Sequence, residues 1–426
     1  MTGMLVLGLV VPSLGWSAPI RNVILCIGDG MGPEQVKAAH CYAGTNLVFE
    51  TFPYQSRLTT ASADGEVTDS AAAATALSTG CKVYNGVLAL AYPGDGSELE
   101  TLLEHFSKLD KSTGLVTTSY LTDATPAGFG AHEPSRGNHV EIANDYFVQT
   151  RPNVLLGGGG YGMDPLAAEA AGYRVVTNAA SLLELRGRPG DQPVAGLFGE
   201  GPLPYVYDGL GDLPSLPQMV DVALGRLVCD PDGFFLMVEG GRIDHACHGN
   251  DLERCVAEAL AFDEAVRVVV AWAAGRSDTL VVVTADHETG GLTVLADNGR
   301  GFLPDVSWGT GYHTATPVPV YGVGVNASQV ASLSDNTGFR GVACSAALMP
   351  ATGFRIERET AGLTRTQWAV NRGDVCRVEY TPTLMPPAWQ ASGTVTSFGT
   401  RVVCETTNGA PCAQGFYRMI TIQSGE

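Results

Sequence analysis

From residue 22 to about residue 348 the chain alternates short apolar runs with longer stretches whose apolar positions recur at helical spacing. The runs "NVILCIGDG" (22–30), "TGLVTTS" (113–119), "NVLLGGGG" (153–160), "GFFLMVEGG" (233–241), "DTLVVVTADH" (278–287) and "TPVPVYGVG" (316–324) are nearly continuous in apolar residues. They read as strands buried on both faces, since a half-exposed sheet would alternate polar and apolar positions. Between them "SELETLLEHFSKL" (97–109), "PSLPQMVDVALGRLV" (214–228) and "NDLERCVAEALAFDEAVRVVVAWAA" (250–274) read as helices. Strand and helix in alternation predict an α/β fold, with a mostly parallel central sheet between two helical layers. Ligands of such sheets gather beyond the carboxyl ends of the strands.

The pattern changes after "LMPATG" (348–353). "RVEYT", "TSFGTRVVCE" and "YRMITI" alternate polar and apolar residues without a helical stretch, which predicts a small all-β module over residues 354–426. At the other end, the apolar stretch Met4–Val11 is followed by small residues around Ser17 and Ala18. That is the layout of a signal peptide over residues 1–18, although a basic leading segment is missing. The expected division is therefore a leader, a catalytic domain over 19–350 and the terminal β module.

A net charge of −19 argues against a stable nucleic-acid partner, because phosphate backbones are bound by clustered Lys and Arg. An anionic substrate would need local positive charge, which metal ions supply. No later segment has the ~18 consecutive apolar residues of a membrane span. Ten cysteines without a Cys-x-x-Cys pair argue against a zinc ribbon and suit an exported protein carrying disulfides, with Cys376, Cys404 and Cys412 falling in the β module.

Several predicted strands run directly into metal-ligand residue types. Asp29 follows the first, between glycines that let the backbone turn. Glu239 ends another and is followed by Asp244, His245 and His248; the four-residue spacing of Asp244 and His248 puts both on one side of a helical turn. Asp286 and His287 come directly after a buried run, and His313 stands before the last strand. "LTDATPAGFGAHEPSR" offers Asp123 and Thr125 as oxygen ligands suited to Mg²⁺ and Arg136 as a fork for a phosphate or sulfate. In "VTDSAAAATALSTG" (67–80), an alanine-rich helix begins at Asp69-Ser70, where either residue could be a cap and Ser70 could instead be a nucleophile.

Taken in order, "GDGMG" (28–32), "TDSAAAATA" (68–76), "DATPA" (123–127), Arg136 in "EPSRG", "VEGGRIDHACH" (238–248), "TADHETGG" (284–291) and "HTATPVPV" (313–320) resemble the alkaline phosphatase family over about residues 20–348. The resemblance implies a three-layer α/β/α phosphomonoesterase with two Zn²⁺, one Mg²⁺ and a phosphoserine formed on Ser70. It implies Asp244, His248 and His313 as ligands of the first zinc and Asp29, Asp286 and His287 as ligands of the second. It further implies Asp29, Thr125 and Glu239 at the magnesium site, with Asp123 acting through water, and Arg136 on the substrate phosphate. Asp69 would shape the turn or hydrogen-bond Arg136.

Two features depart from the family pattern. Asp123 is paired with His245, a possible outer-shell residue, which leaves the third metal's identity open. Only 25 residues separate His287 from His313, too few for the large insertion many relatives carry there, so homodimerisation is left open as well. The expected protein is a secreted or periplasmic enzyme acting on phosphate monoesters. The alternatives are a phosphodiesterase or sulfatase of the same superfamily, or a noncatalytic surface-binding protein using its β module.

Overall fold

The computed structural model describes residues 20–187 and 192–347, and after these the backbone of six strands between 354 and 423. The expected leader at 1–18 lies outside the described residues, as do the side chains of Cys376, Cys404 and Cys412. The strands of the main body are, in chain order, β1 (Asn22–Gly28), β2 (Tyr54–Leu58), β3 (Ser112–Tyr120), β4 (Val154–Gly158), β5 (Arg174–Val176), β6 (Val194–Leu197), β7 (Phe234–Gly240), β8 (Thr279–Thr284), β9 (Glu288–Thr289), β10 (Thr293–Ala296), β11 (Asp305–Ser307), β12 (His313–Thr314) and β13 (Val318–Gly324). Nine of them form one sheet in the order β2-β13-β8-β1-β7-β3-β4-β6-β5.

Every residue of β1, β7 and β8 is buried, as expected for central strands covered on both faces. Neighbours on a strand point to opposite faces, and β7 shows both layers at once. Phe235 meets Phe106 and Phe129 with ring centroids 5.4 and 5.9 Å apart, while Phe234 meets Trp272 at 5.3 Å. Helices Leu102–Lys108 and Ala124–Gly130 therefore cover one face, and helix Leu252–Ala273 covers the other.

The sheet is mostly parallel, as expected, the exception being β13, which runs antiparallel to both β8 and β2. The helix expected from 97 begins only at Leu102, because Thr101 caps it: its hydroxyl accepts from the Glu104 N–H, and the Glu104 carboxylate accepts from the Thr101 N–H. Disulfides were expected; the seven cysteines among the described residues are free thiols, with Cys247 and Cys255 3.4 Å apart at sulfur, and the three of the β module lie outside the described side chains.

In the tail, β14 (Phe354–Arg358), β15 (Leu363–Ala369), β16 (Val375–Thr381), β17 (Gln390–Thr396), β18 (Arg401–Thr407) and β19 (Phe416–Gln423) pair antiparallel in two groups of three. Among the described residues, no helix is long and apolar enough to cross a membrane.

Candidate active site

Four adjacent strands of the sheet, β8, β1, β7 and β3, deliver acids at or just beyond their carboxyl ends: Asp286, Asp29, Glu239 and Asp123. All four are nearly inaccessible to solvent. Such acids are rarely left buried without partners, because desolvating a carboxylate costs several kcal/mol. Three of them have one oxygen held by the fold. Asp286 Oδ1 accepts from the backbone N–H of Gly30 at 3.1 Å and of His287 at 2.8 Å. Glu239 Oε2 accepts from the Thr117 hydroxyl at 2.5 Å, and Asp123 Oδ2 from the Ser119 hydroxyl at 2.5 Å. The atoms left over, Asp29 Oδ1, Asp286 Oδ2, Glu239 Oε1 and the Thr125 hydroxyl, are buried without a hydrogen-bond partner.

The alanine-rich segment resolves its own ambiguity. Asp69 is the cap, its Oδ1 accepting from the Ala72 N–H at 3.0 Å, and Ser70 is the first residue of the helix Ser70–Thr79. The cap being taken by its neighbour, the Ser70 hydroxyl is turned to His287, with Oγ 3.1 Å from Nε2. Arg136 reaches both Asp69 Oδ2 at 3.2 Å and Asp123 Oδ1 at 3.1 Å, so two carboxylates hold its fork at the edge of the site. Burial alone would lower its affinity for protons, but Asp123 and Asp69 outweigh burial and keep it firmly charged.

The nitrogen of His287 that meets Ser70 also meets the acids. Nε2 lies 3.2 Å from Asp286 Oδ2 and 3.6 Å from Asp29 Oδ1. A Ser-His-Asp hydrolase would use opposite ring nitrogens for serine and acid, the acid holding Nδ1–H while Nε2 takes the serine proton. Here serine and carboxylates converge on one nitrogen, which is the layout of a cation site. Donor atoms of Asp29, Asp244 and His287 fall within 4.8 Å of one another.

A second convergence lies beside it. Asp244 and His248 share the short helix Arg242–His248, with Asp244 Oδ2 3.2 Å from His248 Nε2. His313, on β12, brings its Nε2 to 3.2 Å from the same nitrogen. The remaining ring nitrogens donate to backbone carbonyls, His248 Nδ1 to Gly311 at 2.7 Å and His313 Nδ1 to Thr68 at 2.9 Å. A carbonyl can only accept, so in both neutral rings Nε2 is a lone pair. Two lone pairs and a carboxylate facing one another repel, and an outer hydrogen bond from each ligating histidine to a carbonyl is how metal sites fix their tautomers.

The proton affinities carry the same message. Asp29 is pushed well above the ordinary carboxyl range by burial and then by Asp286 and Asp244; Glu239 rises to about 8 through burial and Asp123. His248 rises to about 9 through its hydrogen bond with Asp244. Clustered lone pairs draw in protons to relieve their repulsion, and a divalent cation would relieve it better.

The residues singled out in the sequence thus gather at one place, with two refinements. Asp244 lies within reach of both donor groups, and Asp286 touches His287 without joining the tight group that Asp29 and Asp244 make with it. His245 accepts at Nδ1 from Arg242 at 2.6 Å and lines the cavity. Thr289 was not singled out, yet its hydroxyl donates to Asp244 Oδ1 at 2.5 Å; its position inside "DHETGG" was the available signal. The alanine-rich Ser70 helix packs closely on helix Ala124–Gly130, where a Cβ on Gly128 would stand 2.7 Å from Ala74 Cβ.

Residues 20–301 match the family model described as alkaline phosphatase. Alkaline phosphatase 3 of Bacillus subtilis is 44% identical over 298 residues, covering 65% of this chain but only 63% of that protein, so the match spans less than two thirds of its length. Alkaline phosphatase H of Pseudomonas aeruginosa is 33% identical over 396 residues, covering 74% of this chain and 83% of the relative. Among solved structures, the cold-active alkaline phosphatase of a psychrophilic Shewanella species superposes with a TM-score of 0.70 at 29% identity, covering 77% of this chain and all of that one.

Proposed function

The chain belongs to the alkaline phosphatase family, and from that premise we propose that it hydrolyses phosphate monoesters to an alcohol and inorganic phosphate through a phosphoserine on Ser70. The observation that carries the proposal is the single nitrogen His287 Nε2, on which the Ser70 hydroxyl and two buried carboxylates converge.

The donor set fits metal. In this reading Asp244, His248 and His313 would hold one zinc, Asp29, Asp286 and His287 a second, and Asp29, Thr125 and Glu239 a magnesium, with Asp123 acting through water. Hard oxygen donors suit magnesium, and mixed imidazole and carboxylate sets suit zinc. When bound, these ions would lower the pKa of the serine hydroxyl and neutralise charge on the departing alcohol.

The chain's own groups do the rest. Ser70 sits at a helix N-terminus, whose dipole and free amides favour an approaching dianion. Arg136, braced by Asp69 and Asp123, presents its fork to the equatorial phosphoryl oxygens. Ser70 Oγ attacks phosphorus as the bond to the alcohol oxygen breaks, and the alcohol leaves with a proton. Water then attacks the phosphoserine from the vacated side, returning the serine hydroxyl and releasing phosphate. The apolar leader-like segment at 4–11, followed by small residues at Ser17 and Ala18, supports export to the periplasm or medium.

The test is turnover of 4-nitrophenyl phosphate by metal-replete protein, set against the bis-ester and the sulfate ester. Preference for the monoester is expected; preference for the bis-ester or the sulfate would move the chain to a different hydrolase class, and inactivity toward all three would end the enzymatic reading.

A further inference from the structure

The proposed reaction accounts for the phosphate end of the cavity and leaves its other wall unexplained. The cavity encloses about 600 Å³, far more than a phosphoryl group fills. Its lining passes from Ser70, Asp123 and Arg136 to an apolar lip made by Val67 and Tyr312. Both lip residues are exposed, Val67 at 40% and Tyr312 at 76%. They stand together because each precedes one member of a hydrogen-bonded pair, His313 Nδ1 donating to the Thr68 carbonyl at 2.9 Å.

Tyr312 is exposed in its ring but fixed in its backbone. Its carbonyl accepts from the Gly290 N–H at 2.9 Å, its N–H donates to the Thr310 hydroxyl at 3.2 Å, and the preceding carbonyl, of Gly311, accepts from His248 at 2.7 Å. A ring on a pinned backbone gives contact area at small conformational cost. By contrast Tyr120, also in the lining, is stacked on Tyr161 with centroids 4.2 Å apart.

Position completes the argument. Ser70, His248, His313, Val67 and Tyr312 line one cavity, so an ester whose phosphorus faces Ser70 Oγ and Arg136 carries its alcohol within the same cavity. The Tyr312–Val67 lip is the exposed apolar part of that lining available to the organic part of the substrate.

Resting on the phosphomonoesterase reading, we propose that Tyr312, backed by Val67, is a specificity-determining subsite that stacks on the alcohol portion of the substrate and selects monoesters of flat aromatic or heteroaromatic alcohols over those of small polyols. The test compares phenyl phosphate with glycerol 2-phosphate in wild type, Tyr312→Ala and Tyr312→Phe. For Tyr312→Ala the KM for phenyl phosphate should rise about five- to tenfold with kcat nearly unchanged, as expected for one lost aromatic contact, while glycerol 2-phosphate should be unaffected. Tyr312→Phe should behave as wild type. Calorimetry gives a readout without turnover: Tyr312→Ala should weaken phenylphosphonate by a similar factor and leave methylphosphonate alone. Equal effects on both ligands, no effect on either, or a Phe variant that behaves like Ala would overturn the subsite while leaving the phosphatase reading intact. A wild type that neither hydrolyses the two esters nor binds the phosphonates would instead bring down the phosphatase reading and the subsite with it.

Discussion

Ser70 Oγ lies 3.1 Å from His287 Nε2, although the serine plays no part in capping its own helix. Because Asp69 makes the cap, removing the Ser70 hydroxyl should separate chemistry from stability. Ser70→Ala should cut kcat/KM for 4-nitrophenyl phosphate by about 10³-fold or more, the scale of losing a nucleophile, while shifting unfolding free energy by only about 0.5 kcal/mol. Near-normal turnover in a folded variant would remove Ser70 from the mechanism.

Asp69→Ala should do the reverse in part. The side chain accepts from Ala72 N–H and Gly86 N–H and pairs with Arg136. Losing the cap alone costs about 1 kcal/mol. Freed of one anchor, Arg136 should hold phosphate less well, so product inhibition by inorganic phosphate should weaken along with stability. A variant with lowered stability but an unchanged phosphate inhibition constant would show that Asp123 alone positions the arginine.

Asp29 gives a prediction whose sign depends on metal. Its Oδ1 is buried without a hydrogen-bond partner and faces Asp286, Asp244 and Glu239. Asp29→Asn removes an ionisable carboxyl from that repulsive cluster but also a ligand from two of the proposed sites. In chelator-treated protein the variant should match or exceed wild-type stability, and in zinc- and magnesium-replete protein it should fall below wild type by about 1 kcal/mol or more. Thermal unfolding with and without chelator measures both. A variant that is equally destabilised in the two conditions would make Asp29 a structural acid.

Much of this layout could be read in the sequence, for identifiable reasons. The central strands were legible because burial on both faces leaves continuous apolar runs, and Asp29, Glu239 and Asp286 stood out because polarity jumps where those runs end. The direction of β13 was not legible, since pairing with β8 and β2 is set by contacts far apart in sequence. Nor could spacing decide between Asp69 and Ser70 as cap, because both residue types cap well and only the turn geometry chooses. Thr289 and Tyr312 act through neighbours brought in by the hairpin-like return of the chain from β9 to β12, which leaves no periodic trace.

The close approach of the Ser70 helix to helix Ala124–Gly130 can be tested at Gly128. Ser78 Oγ donates to the Gly128 carbonyl at 2.5 Å, and an added Cβ would meet Ala74 Cβ at 2.7 Å and its backbone carbon at 3.1 Å. Backbone cannot swing aside as a long side chain would. Gly128→Ala gains up to about 1 kcal/mol in helix propensity, yet overpacking at such a contact typically costs 1–3 kcal/mol, so a net loss is expected. Because the two helices carry Ser70 and Thr125, turnover should fall with stability. A stabilised variant would mean that the helices separate freely.

Glu258 supplies a pH dependence remote from the proposed ligands. It is 3% exposed, and its Oε1 accepts from the Val206 N–H at 2.7 Å. Burial raises its pKa to about 7, with Asp208 pushing the same way and Arg242 opposing. The folded state therefore holds this proton more tightly than the unfolded chain, where Glu titrates near its ordinary ~4.3. The associated stability is fully present below that unfolded value and is lost as pH rises through about 7, after which it levels off. The span corresponds to about 3 kcal/mol. Glu258→Gln keeps a carbonyl acceptor for the Val206 N–H and cannot ionise, so it should gain on wild type between pH 5 and pH 8 by an amount of that order. Urea unfolding of both proteins at the two pH values measures the difference. An offset between variant and wild type that stays constant with pH would mean that Glu258 ionises as freely in the fold as out of it, and that water or the Arg242 guanidinium solvates it there.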